Sequence, residues 1–300
     1  MFKKIRRSLV YHFAVSAFTF MNRIPRRMAV YLGGWVGLAC WWLLPKERYR
    51  ANRHLKLVFG DRFSPRERAR IYRQFSVNSG RNLVDIIRLR KHFDIEIKPL
   101  VDSEGMEHFE AAYARGQGLM GITGHIGNFE LLAAWLASQG YKIAVIGRKL
   151  YEPHLNELLV RNREATGLTN IYTTDSPRRG LEWLRKGGVL GVLIDTDSHR
   201  VRSEFVPAFG RWSYTPVGQS LLGLKTGSAF VPAACLRKPD GRYLVTVRPE
   251  IKIEPSGDKD RDAAEMTSRC TQALEKIIAD HLDQWPWHHN RWRTRRKQGG

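Results

Sequence analysis

Short apolar runs alternate with helix-patterned segments from about Gly118 onward, and this alternation limits the fold more than any other feature of the chain. The runs lie at 119–123, 143–146, 171–172, 189–194 and 230–235, and the helical segments at 128–138, 153–165, 176–185 and 215–226. Residues 243–248 have the pattern of a hairpin partner for the last run. Such alternation is typical of a mostly parallel sheet with helices on both faces, so the sequence predicts an α/β fold.

The loop after the first predicted strand contains the strongest candidate for catalysis, His125, because ligands bind at the carboxyl ends of strands in such sheets. Gly124 and Gly127 bracket this histidine and leave room for a substrate near the backbone. Glu130, on the first turn of the next helix, can fold back and accept a hydrogen bond from one imidazole nitrogen. The other nitrogen is then free to take a proton from a hydroxyl, which makes His125 the candidate general base and Glu130 its partner.

Other known catalytic motifs are absent from the sequence or fit it less well than the His125 loop does. The chain contains no Gly-x-Ser-x-Gly, His-Glu-x-x-His or phosphate-loop pattern, and no dinucleotide-binding glycine pattern between a predicted strand and the helix after it. Asp195 and Asp197 follow a buried strand and could hold a divalent cation, as in a metal-dependent glycosyltransferase. That alternative is weakened by the positive residues nearby and by the lack of a role for His125, and it predicts loss of activity with a chelator.

The net charge favours anionic partners, since 50 Lys and Arg against 29 Asp and Glu give +21. The basic residues flank apolar stretches instead of forming one block, which favours a membrane surface over nucleic acid. Cys40, Cys235 and Cys270 are far apart and form no metal-binding or disulfide pattern, as expected for a protein in a reducing cytosol.

The amino-terminal region is apolar. Residues 8–22 and 28–45 contain no Asp, Glu, Lys or Arg, and each is near or below the ~20 apolar residues that span a bilayer. No cleavage site follows the first stretch, so we expect an uncleaved anchor. Gly33 and Gly37 have the spacing that permits close helix packing. A spanning helix, a helix in the membrane surface and two buried helices of a soluble domain all fit this pattern.

The predicted organisation is therefore an N-terminal membrane-associated helical segment at 1–45, followed by one α/β domain at 46–300. Residues 51–100 have a basic, helical pattern with a break at Phe59-Gly60. Ser64 is placed to cap a helix that starts at Pro65. The stretch 285–297 combines three tryptophans with basic residues, which suits a lipid headgroup layer, and its last residues form a basic tail.

Several short motifs occur together in one order along nearly the whole chain. They are residues 50–55, His125-x4-Glu130, Arg148 with Pro153 and Asn156, Asp195-Thr196-Asp197, residues 205–210, Thr215-Pro216, Thr226-Gly227 and Trp287-x-His289-x-Arg291-Trp292. In this set the chain resembles the bacterial lipid A biosynthesis acyltransferases, the lauroyl or myristoyl transferases of the lysophospholipid acyltransferase superfamily. That family commonly has an amide before the second aspartate, so Thr196 is a departure from its pattern.

The resemblance implies acyl transfer from a thioester, usually acyl carrier protein, to a hydroxyl of a lipid A precursor at the cytoplasmic face of the inner membrane. It implies His125 as base and Glu130 as its orienting carboxylate, with no metal, no cofactor and no covalent acyl-enzyme. The candidate substrate-binding residues are Asn128, Arg148, Asp195, Trp287 and Arg291.

Two questions stay open at this level. The oxyanion of the intermediate needs a donor, either backbone N–H groups near Asn128 or Arg148, which could instead bind a phosphate. Relatives in the superfamily also use acyl-CoA or acylate other glycolipids such as mannosylated phosphoinositides. A non-enzymatic protein that only binds lipid is a further alternative, and lipid binding without turnover would distinguish it.

Overall fold

The computed structural model describes residues 15–296. The helices are α1 (Arg26–Leu43), α2 (Pro45–Phe59), α3 (Pro65–His92), α4 (Met106–Ala114), α5 (Phe129–Ser138), α6 (Pro153–Glu164), α7 (Ser176–Arg185), α8 (Gly218–Thr226) and α9 (Lys259–Asp280). The strands are β1 (Val101–Glu104), β2 (Leu119–Thr123), β3 (Ile143–Gly147), β4 (Thr169–Tyr172), β5 (Val189–Leu193), β6 (Ser203–Ala208), β7 (Arg211–Pro216), β8 (Ala229–Arg237) and β9 (Tyr243–Val247).

Seven strands form one sheet in the order β1-β9-β8-β2-β5-β3-β4. Every neighbouring pair is parallel except the β8–β9 hairpin, which is antiparallel as the sequence predicted. The remaining strands, β6 and β7, form a separate antiparallel ribbon. The predicted α/β fold with a mostly parallel sheet is therefore confirmed.

Helices cover both faces of the sheet, and each face has its own hydrophobic core. Alternate residues of one strand point to opposite sides, so Leu119 packs among residues of α5 while Met120 packs among residues of α9. Burying a side chain such as Leu119 stabilises the fold by about 1.5–3 kcal/mol. The central strands β2 and β5 consequently consist of apolar residues and glycine, apart from Thr123 at the end of β2.

Helix α1 crosses α3 at very short range, as the spacing of Gly33 and Gly37 predicted. A Cβ atom on Gly37 would lie 2.1 Å from the carbonyl oxygen of Ser76, and one on Gly80 would lie 2.0 Å from that of Gly33. Only glycine allows the two backbones to approach this closely. The crossing holds the amino-terminal helix against the rest of the protein.

Helix α3 begins with the capping residue that the sequence predicted. Ser64 accepts a hydrogen bond from the Glu67 backbone N–H, and the Glu67 side chain accepts one from the Ser64 N–H. This reciprocal capping box satisfies two N–H groups that the helix itself leaves unpaired.

The predicted membrane segment is described only in part, since residues 8–14 of its first apolar stretch lie outside the described residues. Within residues 15–296, no single helix is long and apolar enough to cross a bilayer. Helices α1 and α2 pass that test only as a pair, with an 85° bend between them. The division of the chain at residue 45 stays a prediction.

The predicted helix at 215–226 is wrong in its first part. Residues Arg211–Pro216 form strand β7, and α8 begins only at Gly218. The buried face of this strand consists of the polar residues Ser213 and Thr215, so it lacks the apolar alternation that identifies a half-buried strand. Strand β1, helix α4 and helix α9 were likewise not predicted.

Candidate active site

The parallel register of β2 and β5 brings His125 and Asp195 together. Thr123 and Leu193 are direct partners at the ends of these adjacent strands. His125 and Asp195 each follow two residues after these strand ends. The imidazole and the carboxylate therefore lie side by side at the carboxyl edge of the sheet. A Cβ atom on Gly124 would lie 2.9 Å from Asp195 Oδ2, so a glycine at this position permits the approach.

Three hydrogen bonds fix the buried Asp195 carboxylate. Its Oδ1 lies 2.8 Å from His125 Nδ1, and its Oδ2 accepts from the His125 backbone N–H at 2.8 Å and from Trp285 Nε1 at 2.9 Å. The His125 side chain is 28% exposed while that of Asp195 is 3% exposed. The far side of the imidazole is therefore open to a substrate, and the carboxylate is not.

The electrostatics of the pair favour a proton on Nδ1. Burial alone would raise the pKa of Asp195, but the neighbouring His125 holds that pKa far below its usual range. Burial likewise opposes charging of His125, but Asp195, and more weakly Glu130, raise the net pKa of His125 above its ordinary 6.5. An ionised carboxylate can only accept, so neutral His125 presents its free lone pair at Nε2.

Glu130 does not orient the imidazole, which corrects the sequence prediction. Its carboxylate forms a bidentate ion pair with Arg163 of α6, at 2.9 Å to Nε and 2.5 Å to Nη2, and both side chains are largely buried. An arginine fork satisfies both carboxylate oxygens at once. The contact predicted for Glu130 is made by Asp195, which was predicted to bind substrate.

The backbone N–H and side-chain oxygen of Asn128 itself are already paired within the protein. The Asn128 N–H donates to the Cys235 carbonyl at 2.7 Å, and its side chain caps α5 by accepting from the Leu131 N–H at 3.1 Å. The next two N–H groups, those of Phe129 and Glu130, have no hydrogen-bond acceptor among residues 15–296. They are the first-turn donors of α5 that remain available to an anionic group.

Trp287 and Arg291 are buried, so their prediction as direct substrate contacts is corrected. Trp287 is fully buried, and its indole N–H donates to the Leu282 carbonyl at 2.8 Å. Arg291 is 3% exposed and donates to the Thr196 carbonyl at 3.2 Å, with its pKa lowered by burial to about 10. Arg291 therefore supports the loop that follows β5, and Trp287 packs against Phe209 and Trp285. Arg148 is exposed directly after β3, and its role stays a prediction.

The two aspartates are not arranged around a shared cation. Asp195 bonds directly to the His125 ring, and Asp197 accepts from the Thr294 N–H at 2.7 Å and from the Thr294 hydroxyl at 2.8 Å. A cation needs several oxygen ligands that converge on one point. His125, Asp195 and His289 do lie close enough to share a metal ion. In the hydrogen-bonded pair, His125 Nδ1 carries the proton that it donates to Asp195, and this nitrogen could bind a metal ion only after losing that proton.

His289 is a site residue to which the sequence analysis gave no role. Its ring centroid lies 5.0 Å from that of His125, and burial lowers the pKa of His289 to about 4. The ring is therefore neutral at physiological pH. Neither ring nitrogen has a hydrogen-bond partner among the described residues. His289 appears in the carboxyl-terminal motif, but the sequence gives no sign that this segment returns to the end of β2.

An apolar cavity lies next to the loop that contains His125. The Phe129 ring packs 5.3 Å from the imidazole, centroid to centroid, and also lines the cavity. Gly121 and Gly191 leave space over the sheet, because they have no side chains there. The remaining apolar lining includes Phe109, Leu132, Ala133, Leu136, Ile143, Val145, Ile146, Val189, Val231 and Ala233. A slot of this kind suits a hydrocarbon chain.

Comparison with known proteins identifies the family to which the chain belongs. The sequence model of the family described as "Bacterial lipid A biosynthesis acyltransferase" matches residues 1–294. The "Lipid A biosynthesis lauroyltransferase" of Escherichia coli K12 is 26% identical over 279 residues, which cover 91% of this chain and 88% of the relative. The "Phosphatidylinositol mannoside acyltransferase" of Mycobacterium tuberculosis is 27% identical over 192 residues, 63% of this chain. That alignment spans 58% of the mycobacterial protein.

Proposed function

Because the chain belongs to the bacterial lipid A biosynthesis acyltransferase family, we propose that it transfers a fatty acyl group from a thioester to a hydroxyl of a glycolipid. The observation that supports this most directly is the His125–Asp195 pair, whose imidazole packs against Phe129 in the lining of the apolar cavity. A base and a slot for a hydrocarbon chain are two of the parts that such a reaction needs.

The reaction begins when His125 Nε2 takes the proton of the acceptor hydroxyl as its oxygen attacks the thioester carbonyl. Asp195 stabilises the imidazolium that forms. The tetrahedral intermediate then collapses, the new C–O ester bond remains, and the C–S bond breaks. The thiolate leaves with the proton held by His125. Positioned base catalysis of this kind contributes about 100 to 10,000-fold to the rate.

The intermediate places negative charge on the former carbonyl oxygen. The free N–H groups of Phe129 and Glu130 are at the amino end of α5, whose dipole also favours an anion. Arg148 is the alternative donor, and its exposure after β3 equally suits a phosphate of either substrate. The acyl chain of the donor occupies the apolar cavity.

The proposed acceptor is a lipid A precursor, and the proposed location is the cytoplasmic face of the inner membrane. The exposed face of α1 supports a membrane role, because its outward residues are apolar at helical spacing. This stripe consists of Met28, Tyr31, Leu32, Trp35, Val36 and Leu43. Basic residues flank the stripe, with Arg27 and Lys46 exposed at either end. Such a combination suits the interface of an anionic bilayer.

The proposed donor is an acyl carrier protein, with acyl-CoA as the alternative. The +21 net charge supports an acidic donor, since opposite charges accelerate encounter. Raising the salt concentration should weaken the apparent affinity for the donor if this steering operates.

Transfer of labelled acyl groups in detergent tests the proposal. Parent and His125→Ala proteins are each given acyl carrier protein or acyl-CoA as donor, and a lipid A precursor or a mannosylated phosphoinositide as acceptor. We expect transfer by the parent and none by a folded variant. Undiminished transfer by the variant would contradict the mechanism. Transfer that a chelator abolishes would favour a metal-dependent reaction instead.

A further inference from the structure

A second cleft, lined by polar residues, lies between α3, the turn after β8 and the segment before Trp285. None of its lining residues lines the apolar cavity. Its cations are Arg70, Arg81, Arg237 and Lys238, and its amides are those of Gln74 and Asn78. We call it the basic cleft.

Positive charge in the basic cleft exceeds what nearby carboxylates neutralise. Arg70 and Arg81 form no ion pair or hydrogen bond with any residue in 15–296. Partial burial and the charge of Arg237 both lower the pKa of Arg81. Asp283 is the single carboxylate among the lining residues. An anion in the cleft would relieve the repulsion between these cations.

The two other cations share their carboxylate partners with further arginines. Arg237 lies 2.6 Å from Asp85, which also pairs with Arg26 at 2.8 Å. Lys238 pairs with Asp102 at 3.3 Å, and the same carboxylate lies 2.6 Å from Arg242. In each case one carboxylate pairs with two cations, so each group of three side chains has a net positive charge.

A buried amide adds a donor without a partner. Asn78 is 7% exposed and lines the cleft, and its Oδ1 accepts from Gln74 Nε2 at 3.1 Å. Its Nδ2 has no hydrogen-bond partner among the described residues. This Nδ2 atom keeps solvent access, so it is free to donate to a ligand in the cleft. An amide donor beside two unpaired guanidinium groups suits the oxygens of a phosphate.

The position of the cleft indicates where its ligand comes from. Arg81 lies against α1, since a Cβ atom on Gly34 would be 3.1 Å from Arg81 Nε. The opposite face of α1 exposes Tyr31 and Trp35, which are 62% and 55% exposed. The cleft therefore adjoins the helix whose outer face suits a bilayer surface.

We propose that the basic cleft binds the phosphate of a lipid headgroup through Arg70, Arg81 and the Asn78 amide. This deepens the proposed function, on which it rests for the presence of a membrane, by adding a headgroup site separate from the acyl cavity. The site binds the phosphate of the acceptor lipid or of a neighbouring anionic lipid, which present the same chemistry.

The cleft is best tested through its unpaired arginines. Arg237 is unsuitable, because it donates to Asn82, whose amide holds the Gly127 carbonyl of the catalytic loop. The test variant is Arg70→Gln with Arg81→Gln. The control is Arg66→Gln with Arg73→Gln, two exposed arginines of the same helix that do not line the cleft and cause the same change in charge.

Binding of the full chain to phosphatidylcholine vesicles that contain phosphatidic acid is measured by sedimentation. We expect the Arg70/Arg81 variant to lose about tenfold more affinity than the control, because directed charge-assisted hydrogen bonds add to general surface attraction. Equal losses in the two variants would overturn the proposal, since net charge alone would then explain binding. Vesicle affinity equal to that of the parent in both variants would also overturn the proposal.

Soluble glycerol 3-phosphate tests whether the bound phosphate must belong to a membrane lipid. We expect it to compete weakly with vesicles, because the bilayer contributes part of the affinity. If it binds the free protein as tightly as the lipid does, through the same two arginines, the headgroup assignment fails. His125→Ala should bind vesicles like the parent. Vesicle binding is therefore measured independently of acyl transfer. A protein that fails to transfer acyl groups can still confirm or contradict the headgroup site.

Discussion

The substitution Asp195→Asn tests the site most directly, because it exchanges one hydrogen-bonding atom at nearly constant volume. Asp195 Oδ2 accepts from the His125 backbone N–H and from Trp285 Nε1, both of which can only donate. An asparagine keeps these two bonds by turning its carbonyl oxygen toward them. Its amide group then faces His125 Nδ1 and donates to it, which moves the imidazole proton to Nε2.

The size of the effect follows from the tautomer. With the proton on Nε2, the ring presents a donor where the mechanism requires an acceptor for the hydroxyl proton. The same exchange in serine hydrolase triads lowers kcat by about 10,000-fold. We expect a loss of about 1,000- to 10,000-fold here, or about 4–5.5 kcal/mol of transition-state stabilisation.

The assay is acyl transfer at saturating donor for the parent, Asp195→Asn and Glu130→Gln, with thermal unfolding as the control for folding. Glu130 acts on His125 only through its charge, so Glu130→Gln should lower kcat by less than about tenfold. The reasoning is refuted if folded Asp195→Asn keeps more than about a tenth of the parental kcat while Glu130→Gln loses more than about a hundredfold.

Three further predictions concern the base, the helix crossing and the cavity. Because Asp195 raises the pKa of His125, kcat/KM should rise with pH with a midpoint above 6.5, and a midpoint below that value would contradict the assignment. Gly37→Ala puts a methyl group 2.1 Å from the Ser76 carbonyl oxygen, so thermal unfolding should show a loss of about 1–3 kcal/mol; an unchanged midpoint would mean that the crossing is not under steric constraint. Ala133→Phe fills part of the apolar cavity and should shift donor preference toward shorter acyl chains, measured with a series of acyl thioesters. An unaltered chain-length profile would place the acyl chain elsewhere.

The sequence predicted the central strands well because their signal is local. Residues Leu119–Thr123 and Ser176–Arg185 have the predicted bounds, since a buried apolar run and a proline-initiated helix each have a clear pattern. The order of strands in the sheet has no such local pattern. Asp195 was recognised at the end of a strand, but only the adjacency of β2 and β5 makes it the partner of His125. Glu130 was chosen because it is near in sequence, and its partner Arg163 lies on another helix.

The β6–β7 ribbon and the role of His289 were not predicted, for a related reason. Strand β7 buries serine and threonine, and their hydroxyl groups pair within the fold instead of producing an apolar stripe. His289 reaches the site through tertiary packing alone. Contacts between residues distant in sequence are therefore the part of the site that local patterns could not provide.

The Asp195 carboxylate joins three segments that are widely separated along the chain. It is 70 residues from His125 and 90 residues from Trp285, and it bonds to both. Contacts of such range form only after the entropy of closing both loops has been overcome. A molecule with a misassembled sheet or a detached carboxyl-terminal segment can keep much of its helical content and still lack an oriented base. Turnover per molecule is therefore a stricter gauge of native protein in a preparation than circular dichroism or solubility.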